Sequence, residues 1–322
     1  MKKFLSILSL FVAIMFIIGL IKLALNPNSN YSYPFLNAKL DYLEKHPEYN
    51  MYFIGSSKIN DQINPRVIDE HMKGIKSYNL GANAGFNLEN FQTLEYILQN
   101  PSFTPQYIVL ELQDKVDITR KNLKTERSFG TFNYANTYFA MKFQKEEGNY
   151  KQMILSAASF ALNVFHFNKR HDARVIRNAH NHFVDEYQGF SPLDSSVVQR
   201  ISEPKLTGII KDRLKRYHED HTVHAPNKVL VQKINELAER CKKKNIQLII
   251  FIPGPAESDA KKLLVYQKIV STPVINMVEP EEYPEFYQYE YRWDMGHLNN
   301  KGADLLSLKI IPLLEKSIKK NK

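Results

Sequence analysis

The sequence predicts an α/β fold: a parallel sheet covered by helices on both faces, with a largely helical insertion and an N-terminal membrane helix. Three observations predict it. Short apolar runs alternate with segments of helical period in two blocks, residues 27–119 and 227–322. Residues 120–226 between them break the alternation and are rich in aromatic, histidine and basic side chains. A long apolar segment, Phe4 to Ile21, lies near the start of the chain.

That segment comes first. Only Ser6, Ser9 and Gly19 interrupt its apolar run, Lys2 and Lys3 precede it, and the polar stretch Asn26 to Tyr33 follows. Its length approaches the ~20 residues that a helix needs to cross a bilayer. The two lysines favour a cytoplasmic N-terminus, so a single-pass anchor over 1–26 would put the rest of the chain outside the cell membrane. A cleaved signal peptide is the rival reading, although no clean small-x-small site follows the apolar run.

Met51 to Ile54 is a short apolar run ending at Gly55, the pattern of a buried strand. Asn64-Pro65 then reads as an N-cap followed by a first-turn proline, with Val67, Ile68 and Met72 on one face and Gly74 as the stop. Ser77 to Leu80 is a second strand, running into the turn Gly81 to Gly85. Leu88, Phe91, Leu94 and Leu98 line one side of the next helix, and Tyr107 to Leu112 is a third strand. Within the insertion, Gln152 to Val164 has helical period. The alternation resumes with a helix over 228–243, a strand from Ile246 to Ile252, the turn Pro253-Gly254-Pro255 and a helix near 257–269. A short strand from Pro273 to Met277 and a last helix from about Asn299, with Pro312 as a candidate bend, complete the pattern. Five such strands suit a flavodoxin-like doubly wound sheet, in which ligands bind beyond the carboxyl ends of the strands.

At 322 residues, with 43% hydrophobic and 24% charged side chains, the composition is that of an ordinary globular protein and excludes disorder and repeat arrays. Cys241 is the only cysteine, so no internal disulfide can form. It falls on the helical pattern Leu230, Ile234, Leu237, Ala238 and reads as core. The net charge of +9 is carried partly by Lys2, Lys3, Lys316, Lys319, Lys320 and Lys322 in the tails. Nucleic-acid binding would call for basic residues interleaved with aromatics on one face, and an export signal argues against it. A membrane or an anionic envelope polymer accounts for the charge.

Three strand-end loops hold residues that can do chemistry. Gly55-Ser56-Ser57 puts a hydroxyl at the end of the first strand, and serine becomes a nucleophile only with a base and a stabilised oxyanion. Alone, this tripeptide reads as a turn or helix cap. Asp294 and His297 stand three apart, close enough for the carboxylate to hold Nδ1 and leave Nε2 as a general base. Alone, they read as a capping aspartate and a surface histidine. The turn from Gly81 to Gly85 can aim a backbone N–H at an anion. In the insertion, His180, His182, His218, His221 and His224 match no strong zinc spacing, so no metal and no cofactor is expected. With Phe183, Tyr187 and Phe190 they form either a lid or sugar-stacking surface or the ordinary packing of the insertion.

Taken together, Ile54-Gly55-Ser56-Ser57, Asn79-Leu80-Gly81 and Asp294-Met295-Gly296-His297 resemble the first, second and last blocks of the SGNH, or GDSL-like, hydrolases. The resemblance covers about 50–115 and 228–318. It implies Ser57 as nucleophile, because Ser56 stands in place of the family's aspartate, with His297 as base and Asp294 orienting it. It also implies an oxyanion hole made from the N–H groups of Ser57 and Gly81. The family's third block carries an asparagine donor where this chain runs Leu110-Glu111-Leu112-Gln113-Asp114, so Gln113 is the stand-in. Loss of one such donor costs about 3–4 kcal/mol of transition-state stabilisation.

The chain is also similar to the family's envelope branch, which includes the D-alanine-transfer protein of teichoic acid synthesis and the alginate O-acetylation proteins. That likeness implies acyl chemistry, acetyl first, on a cell-envelope polysaccharide, beside a membrane-bound O-acyltransferase. Two functions follow as expectations. One is a serine esterase or O-acyltransferase; the other is a non-catalytic accessory protein that binds the polymer or the acyltransferase.

Overall fold

Five short, largely buried runs become five parallel strands: β1 (Met51–Gly55), β2 (Ser77–Gly81), β3 (Tyr107–Glu111), β4 (Gln247–Ile252) and β5 (Val274–Asn276). The computed structural model describes residues 2–25, 34–114, 116, 131, 133–165, 184–194, 201–255 and 260–319. His180, His182, Phe183 and the start of the helix expected near 257 lie outside them.

The sheet order is β2-β1-β3-β4-β5, with every pair parallel. Successive side chains on a strand point to opposite faces. Tyr52 and Ile54 therefore join one cluster with Leu80, Ile108, Leu110 and Ile250, while Met51 and Phe53 join the other with Val109, Ile249 and Phe251. Burial on both faces is what a parallel sheet requires. From β1 the sheet grows one way through β2 and the other way through β3. The crevice at the carboxyl ends of β1 and β3 is thus the point where the winding reverses, and ligands bind at such points.

The helices are α1 (Lys2–Leu25), α2 (Pro34–Glu44), α3 (Ser57–Asn60), α4 (Pro65–His71), α5 (Asn87–Gln99), α6 (Tyr134–Glu146), α7 (Tyr150–Phe165), α8 (Glu203–Glu219), α9 (Lys228–Lys242), α10 (Lys261–Leu264) and α11 (Asn300–Lys319). Local chemistry sets several of their starts. Asn64 caps α4 by accepting the Arg66 N–H at 3.2 Å, with Pro65 in the first turn. Asn227 caps α9 by accepting from Val229 and Leu230, and Leu230, Ile234, Leu237 and Cys241 are its buried face. In α1, Lys3–Ile21 is long and apolar enough to cross a membrane, with a mean hydropathy of 2.9 and 6% of it buried.

The structure departs from expectation in detail. Of the helix expected near 257–269, the described part is a single α turn, α10, followed by a 3-10 turn over 265–268, and β5 is three residues long. α11 runs unbroken through Pro312. The insertion is not a separate body. α6 packs on α5, α7 and α9, and its Ala140 and Phe143 enter the main core. Residues 184–194 run beside β2, where Gln188 O accepts the Asn79 N–H at 2.9 Å and Val184 O accepts the Tyr78 hydroxyl at 2.7 Å. This segment covers part of the exposed edge of β2. Phe190 is buried there, and the Tyr187 ring lies under the Arg66 guanidinium at 4.6 Å. For Phe190 the structure gives packing.

Candidate active site

The turn after β1 begins with Gly55, where a side chain would collide with Ile59 and with the carboxylate of Glu111. Ser56 then caps α3: its hydroxyl accepts the Lys58 N–H at 3.2 Å and donates to Glu111 Oε1 at 3.0 Å. The Ser56 N–H donates to Glu111 Oε2. Glu111, buried at the end of β3, therefore grips both donors of the residue before Ser57. Burial pushes its carboxyl above the ordinary range, opposed by the Ser56 N–H, the Lys58 charge and the Ser56 hydroxyl. Ser57 opens α3 with its side chain part-buried.

The partner loop lies between a two-residue antiparallel bridge, Arg292 to Leu298. Asp294 Oδ1 accepts the backbone N–H groups of Gly296 and His297 at 2.7 and 2.9 Å, which curls the loop tightly. The carboxylate also accepts from His297 Nδ1, at 2.9 Å to Oδ1 and 3.1 Å to Oδ2. His297 Nε2 stands 2.8 Å from Ser57 Oγ. With Nδ1–H donated to Asp294, Nε2 is left to accept the serine proton. Burial alone would raise Asp294. The hydrogen bond and charge of His297 and the N–H groups of Gly296 and His297 outweigh it and hold the carboxyl down at about 2.

Arg292 supports this loop from inside. Its buried guanidinium donates to the carbonyls of Asp294 (3.1 Å), Phe286 (3.3 Å) and Met295. From outside, Arg213 on α8 donates to Met295 O at 2.8 Å. Asn299 caps α11 by accepting the Gly302 N–H at 3.0 Å, and its amide donates to Glu290 O at 2.9 Å.

A second polar group lies behind α3. Lys39 of α2, fully buried, donates to Asn60 Oδ1 at 2.7 Å and to Gly81 O at 2.8 Å. Asn60 Nδ2 in turn donates to Asp61 Oδ1 at 2.5 Å and to Asn83 Oδ1 at 3.1 Å. Burial pushes Asp61 up to about 6 against the pull of the His297 charge, the Asn60 amide and Lys39. Burial pushes Lys39 well below the usual lysine range, and the Asp61 charge opposes that.

The structure thus brings Ser57, His297 and Asp294 into one hydrogen-bonded chain. The expected oxyanion donors fare differently. Among the described residues, none accepts a hydrogen bond from the Ser57 N–H. The Gly81 N–H, by contrast, is donated to Asn79 Oδ1 at 2.8 Å. A Cβ on Gly81 would stand 2.1 Å from Asn60 N, so this glycine is needed for the close approach of α3 to β2. The N–H expected as a donor is thus engaged in this structure, and the glycine itself serves packing.

Gln113 pairs its backbone N–H with Asn87 Oδ1 at 3.0 Å, and its Nε2 is buried without a hydrogen-bond partner. That amide lies close enough to Glu111 to favour the carboxylate, yet it is walled off from solvent. Glu111, Lys39, Asp61 and Arg292 were not anticipated from the sequence. The only signal pointing to them was a charged side chain inside an otherwise apolar stretch, as in Leu110-Glu111-Leu112.

In the insertion, His218 Nδ1 lies 3.4 Å from Glu281 and His224 Nε2 lies 3.7 Å from Asp220. Among the described residues no group of three His, Cys, Asp or Glu side chains could hold a metal ion. The chain matches no protein-family model, and no curated protein or solved structure is significantly similar to it.

Proposed function

We propose that the protein is a membrane-anchored serine esterase or O-acyltransferase of the SGNH type. The observation that carries this reading is the chain Ser57 Oγ to His297 Nε2 at 2.8 Å and His297 Nδ1 to Asp294 at 2.9 Å, at the strand ends where the winding reverses. The strand order 2-1-3-4-5, shared with flavodoxin-like folds, supports it as well.

In this mechanism Ser57 Oγ attacks the ester carbonyl carbon while His297 Nε2 takes the hydroxyl proton. Asp294 holds the ring and stabilises the imidazolium. The Ser57 N–H receives the negative oxygen of the tetrahedral intermediate. Collapse breaks the ester C–O bond, and His297 gives its proton to the departing alkoxide. The acyl-serine is then opened by water, in an esterase, or by an acceptor hydroxyl, in a transferase, with His297 again as base. An acetyl ester of a cell-envelope polysaccharide is the substrate class the family resemblance favours, with a membrane-bound O-acyltransferase as partner. In this reading α1 is a single-pass anchor and the α/β domain is extracytoplasmic.

A second reading, a non-catalytic accessory protein that binds the polymer or the acyltransferase, has one observation in its favour. Of the three expected oxyanion donors, the Gly81 N–H is engaged by Asn79 and Gln113 Nε2 is enclosed, which leaves the Ser57 N–H. A fluorophosphonate probe separates the two. The full-length protein in detergent is expected to be labelled, and Ser57→Ala and His297→Ala to lose labelling and acetyl-ester turnover by at least ~1,000-fold. Labelling that persists in Ser57→Ala removes Ser57 as the nucleophile. A folded wild-type protein that neither labels nor turns over esters favours the accessory role.

A further inference from the structure

The helix α7 (Tyr150–Phe165) is built inside out. Its two buried residues among those with described side chains are Ser156 and Ser159, whereas Ile154 is 64% exposed and Tyr150 59%. Each serine hydroxyl donates to a carbonyl one turn back in its own helix, Gln152 at 3.0 Å and Leu155 at 2.9 Å. From Gln152 to Phe165 the helix carries no charge. In water, such a helix would bury its isoleucine and expose its serines. In lipid the preference reverses: small and hydroxyl residues face neighbouring helices, and apolar ones face the acyl chains.

The neighbour is the apolar helix α1, against which α7 packs. Along α1, Phe4 to Ile14 are exposed, Met15 and Phe16 are half-buried and Gly19 is buried. The apolar span of α1 ends at Ile21, so at 1.5 Å per residue these covered positions lie about 3–9 Å inside it. Whatever packs there must be immersed to a similar depth. α7 is 16 residues, or about 24 Å, short of the ~30 Å hydrocarbon core. It is therefore too short to span the bilayer and suited to lie in its boundary layer. The adjoining helix α6 exposes Tyr134 and Tyr138, and Lys142 lies over the Tyr138 ring at 4.5 Å. Tyrosine with a neighbouring cation is the side-chain pairing that the membrane–water interface favours.

We propose that α7 is a second membrane element, embedded beside α1 in the boundary of the outer leaflet, with Ile154 against lipid. The occupant of its exposed apolar face is the bilayer itself. This rests on α1 being the membrane anchor, as read above. The α/β domain is then fixed to the membrane at two places instead of one, which directs it to acyl groups or acceptors held at the membrane surface.

Spin labels on single introduced cysteines test this in the full-length protein, reconstituted in phosphatidylethanolamine–phosphatidylglycerol vesicles. Native Cys241 is buried, and the unsubstituted protein supplies the blank. The positions are Ile154→Cys, with Val12→Cys as the lipid reference and Val223→Cys, 95% exposed, as the water reference. Relaxation is compared between molecular oxygen, which concentrates in lipid, and a water-soluble nickel chelate. The expected result is that position 154 behaves like position 12, relaxed by oxygen and shielded from nickel. If 12 reports lipid while 154 reports water, the proposal fails and the anchor stands. Shielding of 154 from both reagents also overturns it, because protein rather than lipid would then cover that face. If 12 itself reports water, the anchor reading fails and takes this one with it.

Discussion

Asp61 and Lys39 sit behind Ser57 with their charges held out of water, and the acid's position gives a pH signature. A carboxyl raised to about 6 in the folded state binds its proton more tightly than in the unfolded chain, where its pKa is near 3.8. Its contribution to stability is therefore full below about pH 4 and is lost as pH rises to about 6. Melting temperature measured across that window is expected to carry a downward component in the wild type that Asp61→Asn removes. An unchanged slope in the variant would assign the effect to another group. Gly81 makes a different test. Gly81→Ala must displace α3, so melting temperature and turnover are expected to fall together, the latter at least ~100-fold. A lost rate with an unaltered melting temperature would instead restore Gly81 as an oxyanion donor. Ser57, Asp294 and His297 were legible in the sequence because each stands in a short loop whose neighbours suggest its chemistry. Lys39 was not, since its partners Asn60 and Gly81 lie 21 and 42 residues away and only the fold brings them together.

Among the elements, the loop from Arg292 to Leu298 owes its shape to hydrogen bonds more than to packing. Replacing Arg292 by leucine takes this donor from the carbonyls of Phe286 and Asp294, at roughly 1–3 kcal/mol for each that water cannot reach. Arg292→Leu is expected to lower stability by about 3 kcal/mol in denaturant titration and to impair turnover. Arg213→Ala, at an exposed site, is expected to stay within about 0.5 kcal/mol of the wild type. Equal effects of the two would show that the inner guanidinium does not shape the loop. β1, β3 and β4 were readable because strands buried on both faces are nearly continuous apolar runs. α8 was not, because charged residues crowd around its three buried positions, Leu206, Ile210 and Tyr217. α7 was readable as a helix, but its reversed polarity appears only when burial is compared with residue type.

Across the whole molecule, the sheet and its two apolar layers carry the stability, with the single cysteine unavailable for cross-linking. Burial pushes the Cys241 thiol up to about 12 and keeps reagents from it. Alkylation of Cys241 by a neutral maleimide is expected to track global unfolding: negligible in the native protein and rapid above the denaturant midpoint. Fast labelling without denaturant would mean that α9 detaches locally. The α/β architecture was legible, but the way the insertion joins the core was not. Ala140, Phe143 and the edge-covering residues 184–194 belong to a stretch without sheet alternation, and only their tertiary partners explain them.

Ser57 and His297 stand 240 positions apart, with β3 and β4 separated by the long excursion of the insertion. Closing so long a loop is cheap at equilibrium, since each doubling of length adds only about 0.6 kcal/mol. Synthesis is directional, however. A ribosome making this chain completes Ser57 240 positions before His297, with α11 still to follow as the helix after the His297 loop. Every product of premature termination before residue 297 therefore carries Ser57 without its hydrogen-bond partner His297. On the proposed serine mechanism, acyl chemistry begins only once His297 has been made and seated beside Ser57, so shorter products are silent bystanders rather than uncontrolled esterases.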